Sequence, residues 1–333
     1  GGIITLPGAF AEGQMSNRVN IVCTNLTLDK GGALDVSSNG YAVCNGPGRG
    51  TNVSYNAGGG GYGGQGGRGG SAIALGGISY GVADAPVVPG SGGAHATYGG
   101  AGGGVVRISA SGTVRINGSI VANGQGTKHI QYWGGGGAGG SIFIECDTFA
   151  GTTNGLLSAA GGRGSYETTG YGGAGGGGRI AVHYQHLEAL TAVRFSASRG
   201  TNGWATNDEA TRWRLGAMDG TVHLSDAGLL SANLSDRLFT NVRLIIPDFS
   251  TWTVNSLSIN NCSVAFEQSG FRLTVSNDLT IGSKGVLGLG VMENATVSNF
   301  VLTCGGNMTL TDGGKLYAFS GPTNATGPDH GAL

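Results

Sequence analysis

Trp204, Asp208, Glu209, Arg212, Trp213, Arg214 and Asp219 crowd into residues 201–220. An indole face stacks on the apolar face of a sugar ring, while carboxylates and guanidinium groups take the ring's hydroxyls. Trp204, Asp208, Glu209, Arg212 and Trp213 therefore form a candidate saccharide seat. The competing expectation is a connection whose tryptophans lid the exposed end of a packed layer, and this is the commoner use of such a loop. Asp208 and Glu209 are sequence neighbours, not a demonstrated acid and base set across a cleft, so no catalytic residue is assigned.

His183, His186 and Glu188 make a His-x-x-His-x-Glu string. On a helix the two imidazoles would share a face and hold a metal. The preceding Arg-Ile-Ala-Val reads as a strand, where positions three apart point to opposite faces, so no metal site and no cofactor is assigned. The five cysteines (Cys23, Cys44, Cys146, Cys262 and Cys304) form no CxxC pair and no zinc-spaced cluster. The calcium repeat Gly-Gly-x-Gly-x-Asp is absent. Gly-x-Gly-x-x-Gly matches recur but lack the strand–helix context that gives them meaning. Lys30, Lys284 and Lys315 fall in or beside turns, where solvated charge guards a sheet edge.

The elements that must position these residues are dominated by glycine, 70 of 333 residues. Charged residues are 11% of the chain and the net charge is −1, which excludes a nucleic-acid binder that works through a basic patch. No apolar run approaches the roughly 18 residues of a membrane span. The chain opens at Gly1 without an initiator Met or a signal-peptide pattern, so a processed chain or a fragment is expected.

In Tyr62-Gly-Gly-Gln65-Gly-Gly-Arg68-Gly-Gly-Ser71 a side chain appears at every third position. Three residues per turn is the period of a polyproline-II-type helix, with about 3.1 Å rise per residue, so these side chains share one edge. The other edges carry only glycine and allow close approach of neighbouring backbones. Tyr98-Gly-Gly-Ala-Gly-Gly-Gly104 and Tyr171-Gly-Gly-Ala-Gly-Gly-Gly177 repeat the pattern, and Trp133 to Ser141 varies it. A flexible linker would not hold Tyr and Ala at fixed offsets, nor be followed each time by a strand-like segment. Residues 58–71, 98–104, 134–140 and 170–178 are expected to form ordered glycine helices packed together, in which Gly100→Val would be severely disruptive. A collagen fold is excluded because the triplet period lapses and proline is scarce.

A second repeat consists of an alternating triplet, a polar turn and another triplet. It appears in Leu26 to Val36, Leu279 to Leu289 and Met308 to Ala318, with a shorter turn in Val114 to Ala122. Units at Val105 to Gly126, Ser141 to Gly164 and Arg179 to Gly200 start 36 and 38 residues apart. Further strands are expected at 221–224, 241–246, 251–259, 271–281, 286–289 and 300–310. Strands this short bury a face only when stacked, which predicts an all-β parallel β-helix (β-solenoid) with polyglycine-II-type helices packed as an inserted layer. The expected domains are 1–220, glycine-rich, and 221–333, ordinary solenoid rungs.

Tyr171-Gly-Gly-Ala-Gly-Gly-Gly-Gly-Arg-Ile-Ala-Val-His-Tyr184, with Ser-Ile-Phe-Ile-Glu145 and Leu-Leu-Ser-Ala-Ala-Gly-Gly162, resembles the glycine-rich repeats of very large bacterial surface proteins. These are similar to parallel β-helix adhesins and autotransporter passengers. The resemblance covers nearly the whole chain, most specifically 98–184 and 273–333. It implies an extracellular or cell-surface, non-enzymatic structural or adhesive role in a layer, sheath or filament, and supplies no catalytic residues. The alternative is a polysaccharide-binding or polysaccharide-degrading β-helix, a lyase or hydrolase, that uses the 201–220 loop.

The expected partners are copies of the chain or neighbouring repeats meeting end to end, because Gly1-Gly-Ile-Ile-Thr-Leu6 and His330-Gly-Ala-Leu333 carry no cap pattern. Surface glycans are a second expected partner. Cys23 and Cys44 are 21 residues apart, about one rung, and a secreted location makes a disulfide between them the expectation. Cys146 is expected to stay unpaired, facing the core beside Ile144 or capping it.

Overall fold

A computed structural model of the chain describes all residues except 15–17, 71–72, 129–132, 166–170, 202–215, 237, 292–299, 312 and 321–333. The described residues are all-β, with parallel pairing in every extended sheet, and they fall into two compact units, Gly1–His223 and Leu224–Leu333.

The first unit carries β1 Ile3–Thr5, β2 Arg18–Cys23, β3 Leu26–Leu28, β4 Ala33–Asp35, β5 Asn52–Val53, β6 Asn56–Ala57 and β7 Val105–Ala110. It continues with β8 Thr113–Ile116, β9 Ser119–Val121, β10 Ser141–Gly151, β11 Leu156–Ser158, β12 Arg179–Leu187, β13 Arg194–Ser196 and β14 Thr221–Leu224, the last of which ends at the unit boundary. One parallel sheet runs β1-β4-β9-β11-β13 and a second β2-β7-β10-β12-β14, with β3 and β8 paired beside β10. Only β5 and β6 pair antiparallel, as a short hairpin.

Alternation decides which side chains are buried. In β7 the pattern leaves Val106 and Ile108 with no exposure, while Arg107 between them stays half-exposed. Because the strands are parallel and in register, like stacks on like. Val106–Ile142–Ile180 and Ile108–Ile144–Val182 form two aliphatic ladders, and Leu34–Ile120–Leu157–Phe195 forms a third across the other sheet. The registers Val105↔Ser141↔Arg179 reproduce the spacing of the three sequence units.

The glycine segments follow a different bonding rule. Gly64, Gly67 and Gly70 donate to the carbonyls of Gly177, Ala174 and Tyr171, so every third residue meets the same antiparallel neighbour. Gly100 and Gly103 donate to Gly135 and Ala138, and Gly136 and Gly139 to Gly173 and Gly176, with the same interval in the parallel sense. The residues between turn elsewhere: Gly59, Gly60 and Gly61 donate to Gly67 of their own run, to Gly136 and to Gly48, three separate acceptors. A β-strand offers two bonding directions; these segments use three, which satisfies buried backbone groups without a ladder. The predicted glycine segments are thus ordered and outside the strands, apart from an isolated bridge of Ala57 with Gly172; positions 71 and 170 lie outside the described residues.

The second unit carries β15 Asn233–Ser235, β16 Phe239–Thr240, β17 Val242–Ile245, β18 Thr251–Val254, β19 Leu257–Asn260 and β20 Ser263–Phe266. Then follow β21 Arg272–Val275, β22 Leu279–Gly282, β23 Val286–Val291, β24 Val301–Cys304, β25 Met308–Leu310 and β26 Lys315–Ser320. Parallel sheets run β17-β20-β23-β26, β15-β19-β22-β25 and β18-β21-β24. The single strands expected over 251–259, 271–281 and 300–310 are each two strands separated by a corner. At the corner Asn277 donates its N–H to Asn255 and Gly306 donates to Asn277, so the bend is itself hydrogen-bonded from one level to the next. Polar Asn and Gly at these positions accept the turn, and the alternating pattern resumes on a new face. Leu279 stacks on Met308 and Leu26 on Val114, each pair joining two units of the sequence repeat.

Candidate functional site

Where each glycine run ends, a strand of the β7-β10-β12-β14 sheet begins. Gly104, Gly140 and Gly178 carbonyls accept from Ser141, Arg179 and Thr221, so the first residues of these strands come side by side. Ser141, Arg179 and Thr221 are all buried, Tyr62 meets Ser141 and Tyr80 meets Arg179 from outside the sheet, and Ser91 lies against Tyr80. The Tyr62 hydroxyl donates to Ser141 Oγ at 2.7 Å, and Ser141 Oγ donates to the Val88 carbonyl. The Tyr80 hydroxyl donates to the Pro89 carbonyl at 2.6 Å and contacts Ser91 Oγ at 2.8 Å.

Arg179 ties the cluster together. Its Nε and Nη2 donate to the Tyr80 carbonyl at 3.1 and 3.0 Å, and its Nη1 donates to Thr221 Oγ1 at 3.2 Å. The guanidinium carbon lies 5.5 Å from the Tyr62 ring centroid, within cation–π range, and the Tyr62 and Tyr80 rings pack at 4.9 Å. Burial pushes the Tyr62 hydroxyl up to about 12 against the smaller opposing pull of Ser141 and Arg179, and burial raises Tyr80 well above its ordinary value. Through the Tyr80, Val88 and Pro89 carbonyls the cluster fastens residues 80–91 to the starts of these strands.

Further along the same strands two imidazoles meet. His183 Nε2 and His223 Nδ1 are 3.3 Å apart, the rings 5.1 Å centroid to centroid, with the edge of Phe143 against His183 at 5.3 Å. Burial lowers the pKa of His223, the neighbouring His183 lowers it further, and the carboxylate of Asp84 opposes both. The sequence string His183, His186, Glu188 is split as a strand demands. His186 lies 3.4 Å from Asp147, and Glu188 takes a bidentate pair from Arg115 at 3.0 and 2.6 Å.

The proposed saccharide seat, Trp204, Asp208, Glu209, Arg212 and Trp213, lies outside the described residues. Asp219 of the same stretch is buried, accepts the Arg199 N–H at 2.9 Å and pairs with the Arg199 guanidinium at 3.5 Å. The expected Cys23–Cys44 disulfide is absent, and all five cysteines are free thiols. One rung of sequence does not place them together. Cys23 stacks in register on Ala110, across the whole glycine insertion, whereas Cys44 hangs from the Gly93 carbonyl in a left-handed conformation. Cys146 is buried as expected, and burial pushes its thiol up to about 12. Alkylating the denatured chain without reductant is expected to add five adducts by mass spectrometry, the same number as after reduction.

Sequence reasoning missed the roles of Ser141, Arg179, Thr221 and His223. A signal was present, since Ser141, Arg179 and Thr221 each immediately follow a glycine. Comparison of the chain with models of protein families, with curated proteins and with solved structures finds no match.

Proposed function

We propose that the chain is a parallel β-helix with a polyglycine-II layer, acting outside the cell or at its surface as a non-enzymatic structural or adhesive repeat protein. The observation that carries this is the bonding of the glycine segments, which satisfies the backbone through three neighbours at once and spends the chain on rigid packing. Glycine segments bonded in this way, together with in-register aliphatic ladders, suit load-bearing or display better than turnover. Partners are copies of the chain or neighbouring repeats meeting at exposed strand edges. On the edge strand β1, Ile3 and Ile4 are 67% and 52% exposed, and on the edge strand β25, Met308 and Leu310 are 41% and 46% exposed. Apolar edges of this kind are templates for strand addition.

Electron microscopy and sedimentation across a concentration series test the proposal. Elongated assemblies that grow with concentration are expected, and Ile3→Lys with Ile4→Lys should suppress them. A strict monomer at high concentration would overturn the filament reading.

A further inference from the structure

The two imidazoles on the outer face of the β10-β12-β14 region have the separation of two ligands on one ion. A tetrahedral zinc centre with Zn–N of about 2.0–2.1 Å places its two ligand nitrogens about 3.3–3.4 Å apart. His183 Nε2 and His223 Nδ1 stand at 3.3 Å. Their strands are neighbours in one sheet, so the distance is set by the backbone spacing and not by a mobile loop. Phe143 packs its edge on the His183 ring and limits its swing. A metal between them needs both facing nitrogens unprotonated, where the present contact shares one proton, and a modest turn of each ring converts one arrangement to the other.

We propose that His183 and His223 form a two-imidazole seat for a divalent transition-metal ion of the zinc or copper class, completed by water. Imidazole is a preferred ligand for these ions, and the hard-cation alternatives, calcium and magnesium, want a shell of oxygens. Among the described residues no group of three or more His, Cys, Asp or Glu is gathered as a ready centre, so the protein's fixed contribution is the histidine pair. Glu145 is the register partner of His183 across β10 and β12 and is exposed, and Asp84 acts on the charge of His223 from a greater distance; neither is gathered with the pair as a third ligand. The opposing charge on this face is Arg107, whose guanidinium lies over the Phe143 ring at 5.7 Å. An ion here would pin β12 to β14 and lend the sheet stability by linkage.

Equilibrium dialysis of the full chain against zinc chloride or copper chloride at neutral pH, with metal counted by mass spectrometry, tests the site. One ion per chain is expected, with a higher melting temperature in its presence. His183→Ala should weaken binding by more than the roughly tenfold that loss of a supporting residue causes. His186→Ala, whose exposed side chain pairs with Asp147 and not with His223, should leave binding unchanged. Because His223 is buried, His183→Gln and nitrogen-15 histidine spectra of the unaltered chain provide a second measurement that needs no change at that position. No saturable binding up to about 1 mM metal, an affinity that a transition ion on two imidazoles should exceed, would overturn the proposal. Binding that survives loss of His183, or a metal-induced shift on histidines other than 183 and 223, would overturn it equally.

Discussion

Gly173→Ala is expected to abolish the folded glycine layer, with the variant recovered mainly as insoluble chain. A Cβ on Gly173 would fall 1.9 Å from the carbonyl oxygen of Gly67 and 2.5 Å from its carbonyl carbon. Both obstructions are backbone, so no side chain can swing aside. Gly67 cannot retreat, because its own N–H donates to Ala174, one residue along the same partner. Gly173 in turn donates to Ala57 and accepts from Gly136, so a shift at one point disturbs three segments. A single methyl group is therefore expected to cost more than about 4 kcal/mol, the range reserved for severe core lesions, against a total stability of about 5–15 kcal/mol. Gly100→Val belongs to the same class, since its Cβ would lie 1.9 Å from the Gln125 carbonyl oxygen. Gly8, with nothing within 4 Å of an added Cβ, is the control, and Gly8→Ala should stay within about 0.5 kcal/mol of the parent. Soluble yield and denaturant unfolding decide it; a Gly173→Ala protein that melts within a few degrees of the parent would sink the packing argument.

The glycine layer was legible because its rule is local. Ala101, Ala138 and Ala174 are the alanines within the runs, all are buried, and they mark where a Cβ fits. The strand stacks were legible where the repeat was also the spatial repeat, as at Leu279 on Met308 or Val105 on Ser141. The same logic failed for Cys23, because its stacking partner lies beyond an insertion that contributes nothing to the count of levels. It also merged strands across corners such as Ser276-Asn277-Asp278, where apolar alternation survives the bend and only the polar run betrays it. The Arg179 cluster was illegible for a different reason. Tyr62 meets Ser141, and Tyr80 meets Arg179, across long stretches of chain, and which aromatic covers which strand start depends on how residues 80–91 pack. No local period encodes that.

Arg179→Ala is expected to lower stability by roughly 2–4 kcal/mol and to release residues 80–91 from the sheet. The guanidinium makes three hydrogen bonds from a buried position, and bonds to a charged group contribute about 1.5–3 kcal/mol each where they are well formed. Its removal leaves the Tyr80 carbonyl and Thr221 hydroxyl without this donor and opens a hole beside the Tyr62 ring, which adds a cavity cost. Against these stands the desolvation of a buried cation, which truncation relieves and which keeps the net loss well below the sum of the bonds. Arg179→Met separates the two effects, because it keeps the stem packing and discards the charge; it should recover part of the loss but not the hold on the Tyr80 carbonyl. Arg179→Lys should also fall short, since a single ammonium cannot reach the Tyr80 carbonyl with two parallel donors while bonding Thr221. For a unit of this size the alanine variant should melt roughly 5–15 °C lower. Limited proteolysis gives the specific readout, with new cleavage within 80–91 in Arg179→Ala and Arg179→Lys and none in the parent. A destabilised variant whose 80–91 segment stays as resistant as the parent's would show that Arg179 only fills space; unchanged melting would show that its bonds merely replace those to water.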